Sequence, residues 1–293
     1  MNKKYTRRSL LSALGLAFAA TMLAQNAPAP ALVIPQPSPT ATLKQRVGLT
    51  DIEITYSRPG MKGRKIFGGL ESYGEVWRAG ANNATTITFS TPVKFGGTEV
   101  PAGKYALFAK LDQEEWTVIL STANKQWGAY AYDPKDDVVR VPAKVRPLAD
   151  TTVETFLIDI NSIRDDSAVL NLVWENTVVS VPLQFDVVGP VSAQIEAVMS
   201  SEAPKKPYLP AAMFYLEHNL DLKKALAWMD AAIAEQPKGY YLHYRKAKVQ
   251  AAMGDKAGAL ATANQSIAMA KADPSPAGSE YVRLNEALIA GLK

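Results

Sequence analysis

The hydrophobic period of this chain changes once, and that change limits what it can fold into. Before Gly189-Pro190 apolar residues recur at every second position; after it they recur at helical spacing in an Ala-rich stretch. Ile52, Ile54 and Tyr56 alternate with Glu53 and Thr55, and Ile87 and Phe89 alternate with Thr86, Thr88 and Ser90. Tyr105-Leu107-Ala109, Trp116-Val118-Leu120, Phe156-Ile158-Ile160, Leu170-Leu172-Trp174 and Val179-Val181-Leu183-Phe185 repeat the pattern. A period of two turns one strand face to a core and the other to water. Phe95-Gly96-Gly97-Thr98 is a two-residue hairpin signal, because Gly accepts the positive φ such turns need. Pro101-Ala102-Gly103 and Asp133-Pro134-Lys135 mark other connections. About ten short strands are predicted, closing an all-β antiparallel sandwich or barrel-like domain over residues 41–188.

An α-helical domain is predicted over residues 189–293, with helices at 191–201, 208–219, 221–236, 239–253, 255–272 and 278–292. Asp221 and Asp255 are placed to cap helix starts, and Pro237 and Pro274 to stop continuation. Asp221-Leu222-Lys223-Lys224-Ala225 recurs 34 residues later as Asp255-Lys256-Ala257-Gly258-Ala259. That is the period of tetratricopeptide repeats. Ala225, Met229 and Ala232 fall at small positions of such a repeat, and Ala259, Ala263 and Ser266 follow in the second copy. Lys271 stands where the first copy has Pro237. An Ala-rich helical bundle is the alternative.

The N-terminus predicts export to the periplasm or beyond the cell. Lys3, Lys4, Arg7 and Arg8 precede the apolar run Leu10–Leu23, which is shorter than the roughly 20 residues of a spanning helix. Residues 1–24 therefore read as a signal peptide, with no membrane span left after its cleavage. Arg7-Arg8 also resembles a twin-arginine motif. Residues 25–40, with Pro28, Pro30, Pro35, Pro37 and Pro39 and no charge, read as an extended linker. The net charge of +4 belongs to this leader, since residues 1–40 hold four basic residues and no acid. Residues 41–188 hold 16 Lys+Arg against 18 Asp+Glu, and residues 189–293 hold 12 against 10. So near-neutral a body argues against a nucleic-acid partner.

The chain has no Cys, which removes disulfides, thiolate nucleophiles and Cys-ligated zinc. Its two His, His218 and His243, fall on separate predicted helices without a third ligand, so neither a metal site nor a cofactor is expected. The β region holds no His, so Ser-His-Asp and Cys-His catalysis lack their base there. The adjacent acids Glu114-Glu115, Asp136-Asp137 and Asp165-Asp166 read as solvated turns. Residues 57–83 form an unusually long connection, and such loops are often functional. It carries Arg58, Lys62, Arg64, Lys65 and Arg78 among Phe67, Tyr73 and Trp77, followed by Asn82 and Asn83. Cations beside aromatic faces and amides suit carboxylates, sugars or phosphates, so Arg58, Lys62, Arg64, Arg78 and Asn82 are candidate ligand contacts. Glu175, after Trp174 at the end of an apolar strand, is the sixth candidate, either toward ligand or paired with Arg58 or Arg78. A structural Arg78 with ligand-facing Arg58 and Arg64 is the favoured assignment. The bland alternative is a loop pinned by arginine bonds to backbone carbonyls.

Several of these residues carry a resemblance. Tyr56-Ser57-Arg58-Pro59-Gly60, Gly63-Arg64, Ile66-Phe67-Gly68, Trp77-Arg78, Gly80-Ala81-Asn82, Pro101-Ala102-Gly103, Trp127-Gly128 with Tyr130, and Trp174-Glu175 look like an uncharacterised bacterial envelope family. It is the family catalogued as domain of unknown function 2911, and the likeness covers about residues 38–188. The resemblance implies an exported protein often followed by helical repeats, and it brings no assigned catalytic residue. The function expected is thus a non-catalytic module, binding a small anionic or glycan ligand through the β domain and a protein partner through the helices. The alternative is a hydrolase acting on envelope glycan or peptide, with Glu175 and an Asp as acid and base and Arg78 as anion stabiliser.

Overall fold

The computed structural model describes residues 32 and 34–292. The expected signal peptide, residues 1–24, and half of the expected linker, residues 25–31 and 33, lie outside the described residues.

Residues 40–185 form a nearly closed antiparallel barrel. Its strands are β1 (Thr40–Val47), β2 (Thr50–Ser57), β3 (Val76–Trp77), β4 (Thr85–Phe89), β5 (Val93–Phe95), β6 (Thr98–Val100), β7 (Gly103–Lys110), β8 (Glu115–Ser121), β9 (Asp137–Pro147), β10 (Val153–Asn161), β11 (Ser167–Glu175) and β12 (Thr177–Phe185). The staves run β1-β2-β4-β7-β8-β9-β12-β11-β10, with β3 beside β7 and the β5–β6 hairpin beside β12. The gap between the end strands is bridged just after β2. Gly60 makes an isolated bridge to Thr155, Phe156 N–H donates to Pro59 O at 2.9 Å, and Met61 N–H donates to Glu154 O at 2.8 Å. The bridge covers part of the β10 edge, while β1 pairs only with β2 among the described residues.

The period-two residues face inward as the pattern predicts. Ile52, Ile54, Ile87, Leu107, Val118, Leu120, Leu170, Leu172, Val179, Val181 and Leu183 are all at most 1% exposed. The Gly96-Gly97 turn joins β5 to β6 with φ of 59° and 89°, the left-handed pair of a tight hairpin. Two neighbouring strands, β7 and β8, depart from alternation, and in β8 it is Ile119 that is buried between Val118 and Leu120. In β7 the outward residues Ala106 and Phe108 are buried as well, because the segment after β8 folds back over that face. Ala84, Ala106, Phe108 and Ile119 form a small outer cluster under Ala129 and Tyr132, whose ring meets Phe108 edge-on at 5.3 Å.

Six helices follow: α1 (Val188–Ser200), α2 (Tyr208–Glu217), α3 (Leu222–Glu235), α4 (Tyr240–Ala252), α5 (Lys256–Ala270) and α6 (Pro276–Gly291). The first begins earlier than the sequence pattern suggests. Gly189-Pro190 lies in its first turn, where Pro loses no needed N–H. Asp221 caps α3 by accepting from Lys223 and Lys224 N–H at 3.0 and 3.2 Å. Asp255 caps α5 through Gly258 N–H at 2.9 Å. The repeat offsets carry the packing: Ala225, Met229, Ala232, Ala259, Ala263 and Ser266 are all buried. Ser266 at the last position gains a polar role, since its hydroxyl donates to Tyr240 O at 2.7 Å and lies 2.9 Å from Asn285 Nδ2. This six-helix region is consistent with helical repeats. Val191 and Phe214 pack on the barrel core, and Phe214 also packs into the helical core, so it joins the two.

Candidate functional site

The long 57–83 connection closes one end of the barrel. Phe67, buried there, meets Trp116 at 4.7 Å, Trp77 at 5.9 Å and Trp174 at 6.2 Å, all edge-on. Trp77 stacks on Trp174 at 5.9 Å and crosses Phe156 at 4.9 Å. Edge-on contacts align the positive ring rim with the negative ring face, which favours this geometry over a flat sandwich. Trp116 and Trp174 are therefore core residues, as the strand pattern predicts, and the loop itself supplies the plug.

That plug decides where the predicted contacts lie. Arg58 donates through Nε to Phe156 O at 3.0 Å, across the barrel closure. Arg64 donates through Nε to Met61 O at 2.9 Å and through a terminal nitrogen to Gly60 O at 2.8 Å, both within its own loop. Lys62 is exposed, and its backbone N–H donates to Glu154 Oε1 at 2.8 Å. Asn82, at φ 59°, spends Nδ2 on Ser38 O and Ser57 Oγ, each at 3.3 Å. Glu175 turns the β11–β12 hairpin at φ 57°, and its Oε2 lies 3.5 Å from Phe67 N–H, a long hydrogen bond that faces the plug. Arg78 is half-buried and its Nε has no partner among the described residues.

A sixth charged group belongs with these five charges and Asn82, and it carried no sequence signal. Glu71 is half-buried in the 65–71 turn, where its N–H donates to Ile66 O at 2.9 Å and its carbonyl accepts from Gly68 N–H at 2.9 Å. Burial raises its carboxyl above the usual value, and the Arg78 and Arg64 charges pull it back only in part. The folded state therefore holds the Glu71 proton more tightly than the unfolded chain does. Stability falls as pH rises from the unfolded value through the folded one. Glu71→Gln is expected to raise the urea midpoint at pH 7, with the gain shrinking to nothing as pH falls below the ordinary carboxylate range. Paired urea titrations across pH 4–8 check this; an unchanged or lowered midpoint at pH 7 would contradict it.

The remaining titratable candidates are structural. The indicated acid pairs sit in turns or at strand starts. Asp137 accepts from Tyr132 OH at 2.7 Å, and burial followed by that bond pushes the Tyr132 phenol up to about 12. His243 is buried, and burial lowers its pKa. His218 Nε2 lies 2.9 Å from Asp165 Oδ2 at the joint between barrel and helices, close but without the alignment of a hydrogen bond. No cluster of three metal-ligating side chains occurs among the described residues.

An open cleft lies on the outer barrel wall beside Asn82. Its volume is about 440 Å3, inside the usual range for small-ligand pockets. One wall is the outward face of β2 and β4, with Thr55 and Thr86; the other is the segment Asn124-Lys125-Gln126-Trp127. Three backbone contacts stitch that segment to residues 82–84, just before β4. Ala84 N–H donates to Gln126 O at 3.1 Å, Gly128 N–H donates to Asn82 O at 2.9 Å, and Asn83 bridges Trp127. Trp127 is nonetheless 62% exposed and Tyr130 78% exposed, stacked at 5.5 Å with 18° between their planes. Gly128 between them has φ 71°, and a Cβ there would stand 2.6 Å from the Tyr130 ring. Only Gly lets the two rings lie together over that backbone. The family model described as "Protein of unknown function (DUF2911)" matches residues 38–183. The chain belongs to this family through its barrel. No curated protein matches the chain. The DUF2911 barrel thus holds both the plug, which contains most of the residues predicted as ligand contacts, and the cleft, whose Lys104, Lys125 and Asn124 sequence reasoning did not single out. The available signal was Trp127-Gly128 with Tyr130, two aromatics around a Gly in a stretch without strand alternation.

Proposed function

We propose that this is an exported envelope protein whose DUF2911 barrel is a non-catalytic ligand-binding module and whose helices dock a protein partner. One observation carries the reading: the cleft beside Asn82 presents a backbone-fixed, largely exposed Trp127 to solvent. An aromatic pair held beside an open cleft offers a flat face on which a ligand can stack. Among the described residues the cleft lining includes no Asp, Glu or His, the groups from which a hydrolase draws its acid and base. Glu175, the acid of the rival hydrolase, faces the Phe67 amide at the barrel plug instead. Export is supported by Lys3, Lys4, Arg7 and Arg8 ahead of the Leu10–Leu23 run. Among the described residues no helix is long and apolar enough to cross a membrane.

Thermal melting of the full chain against metabolite and glycan collections tests the binding role. A ligand at about a hundredfold excess over its Kd adds about 2.7 kcal/mol of stability, which a melt reads as a raised Tm. The rise is expected to vanish in Trp127→Ala. Product release from a glycan or peptide, lost in Glu175→Gln, would favour the hydrolase. Fractionation is expected to find a shortened chain beginning near Gln25 or Pro28 outside the cytoplasm; a full-length cytosolic chain would overturn export.

A further inference from the structure

We infer that the cleft beside Trp127 takes a saccharide bearing a carboxylate, an inference that rests on the binding role proposed above. Trp127 lines the cleft and Tyr130 does not, so Tyr130 braces the indole while Trp127 meets the ligand. A braced indole offers a flat apolar face to another flat apolar face, such as the C–H side of a pyranose ring. The opposite wall is polar rather than apolar, with Thr55 and Thr86, and Asn83 stands at the seam beside Trp127; all three are uncharged hydrogen-bonding side chains. Asn124 donates through Nδ2 to Lys104 O at 2.7 Å, which holds its amide at the rim. Groups that both donate and accept suit ring hydroxyls, which do the same.

Charge narrows the class. Lys104 and Lys125 are exposed on this cleft, no carboxylate shares the lining, and neither lysine forms an ion pair among the described residues. Glu53, on the neighbouring stretch of β2, is already bonded to Lys44 at 2.8 Å. Two unspent cations on an otherwise neutral wall select an anionic ligand. A phosphate is the poorer match. The cleft wall is built from β2, β4 and β7, whose strands spend their amides on ladder bonds, and among the described residues no helix N-terminus opens onto it to supply a cradle of free N–H groups. A carboxylate has two acceptor oxygens, which the two ammonium groups can serve; a phosphate has three and lacks the backbone cradle.

Calorimetry on the full chain with digalacturonate, neutral cellobiose and AMP separates the outcomes. Digalacturonate is expected to bind most tightly, and Trp127→Ala to weaken it at least about tenfold, as loss of a stacking platform does elsewhere. Lys104→Met with Lys125→Met is expected to remove the preference for digalacturonate over cellobiose, about fivefold. Unchanged melting curves for these surface variants exclude unfolding as the cause. Equal binding of both sugars, lost in Trp127→Ala, would overturn the acidic class and keep the binding role. Binding of AMP alone through Trp127 would overturn the saccharide. Binding of digalacturonate that Trp127→Ala leaves intact would overturn the cleft. If none of the three binds, the saccharide inference fails, and the wider melting screen alone decides the binding role.

Discussion

Phe67→Ala is expected to destabilise the chain by about 3–5 kcal/mol, the usual cost of truncating a buried aromatic. The residue sits in a connection between strands, where a substitution is ordinarily cheap. Here it is only 4% exposed and touches three tryptophans from three different strands: Trp77 of β3, Trp116 of β8 and Trp174 of β11. Their backbones are fixed by the barrel, so the void left by the ring cannot collapse. Urea denaturation followed by tryptophan emission reads the loss, because the reporting rings line the cavity. Tyr73→Ala is the internal contrast. Tyr73 lies in the same connection but is 37% exposed, and about 1 kcal/mol or less is expected. Similar costs for the two would mean that the connection lies over the barrel end without plugging it.

This plug also explains what was legible in the sequence and what was not. Alternation located the strands because each stave buries one face, and it failed in β7 and β8, where a later segment covers Ala106, Phe108 and Ile119 from outside. That burial depends on a chain return of about a dozen residues, which no local period records. Helix positions followed from Asp caps and Pro stops, which act within one turn. The length and composition of the 57–83 connection were equally plain, but its cations read the same whether they meet ligand or carbonyl. Arg64 bonds Met61 O and Gly60 O, so its donors are spent three and four residues away. The cleft was hidden for the opposite reason: Thr55, Asn83, Lys104 and Trp127 come from four separated segments, each unremarkable alone.

The joint between barrel and helices gives the second large effect, in Gly48→Ala. Gly48 turns β1 into β2 at φ 54°, and a Cβ there would stand 2.3 Å from Asp165 O and 2.6 Å from Val187 Cγ2. Neither neighbour is a flexible tip. Asp165 belongs to the β10–β11 turn, and Val187, 5% exposed, is the residue before α1. Relief therefore requires the hairpin, the turn and the entry to the helices to separate. Overpacking of this kind costs about 1–3 kcal/mol, and a non-glycine left-handed residue about 1–2 kcal/mol more, so a loss of about 2–5 kcal/mol is expected. Gly97→Ala isolates the backbone part, since φ there is 89° and nothing lies within 4 Å of the added carbon. The displaced turn carries Asp165, the residue facing His218 at 2.9 Å, so the damage is expected to reach α2 as well as the barrel. Hydrogen exchange in Tyr208–Glu217 is then expected to quicken in Gly48→Ala and not in Gly97→Ala. Equal urea midpoints and equal exchange for the two variants would show that the hairpin tip yields freely and does not brace the helices.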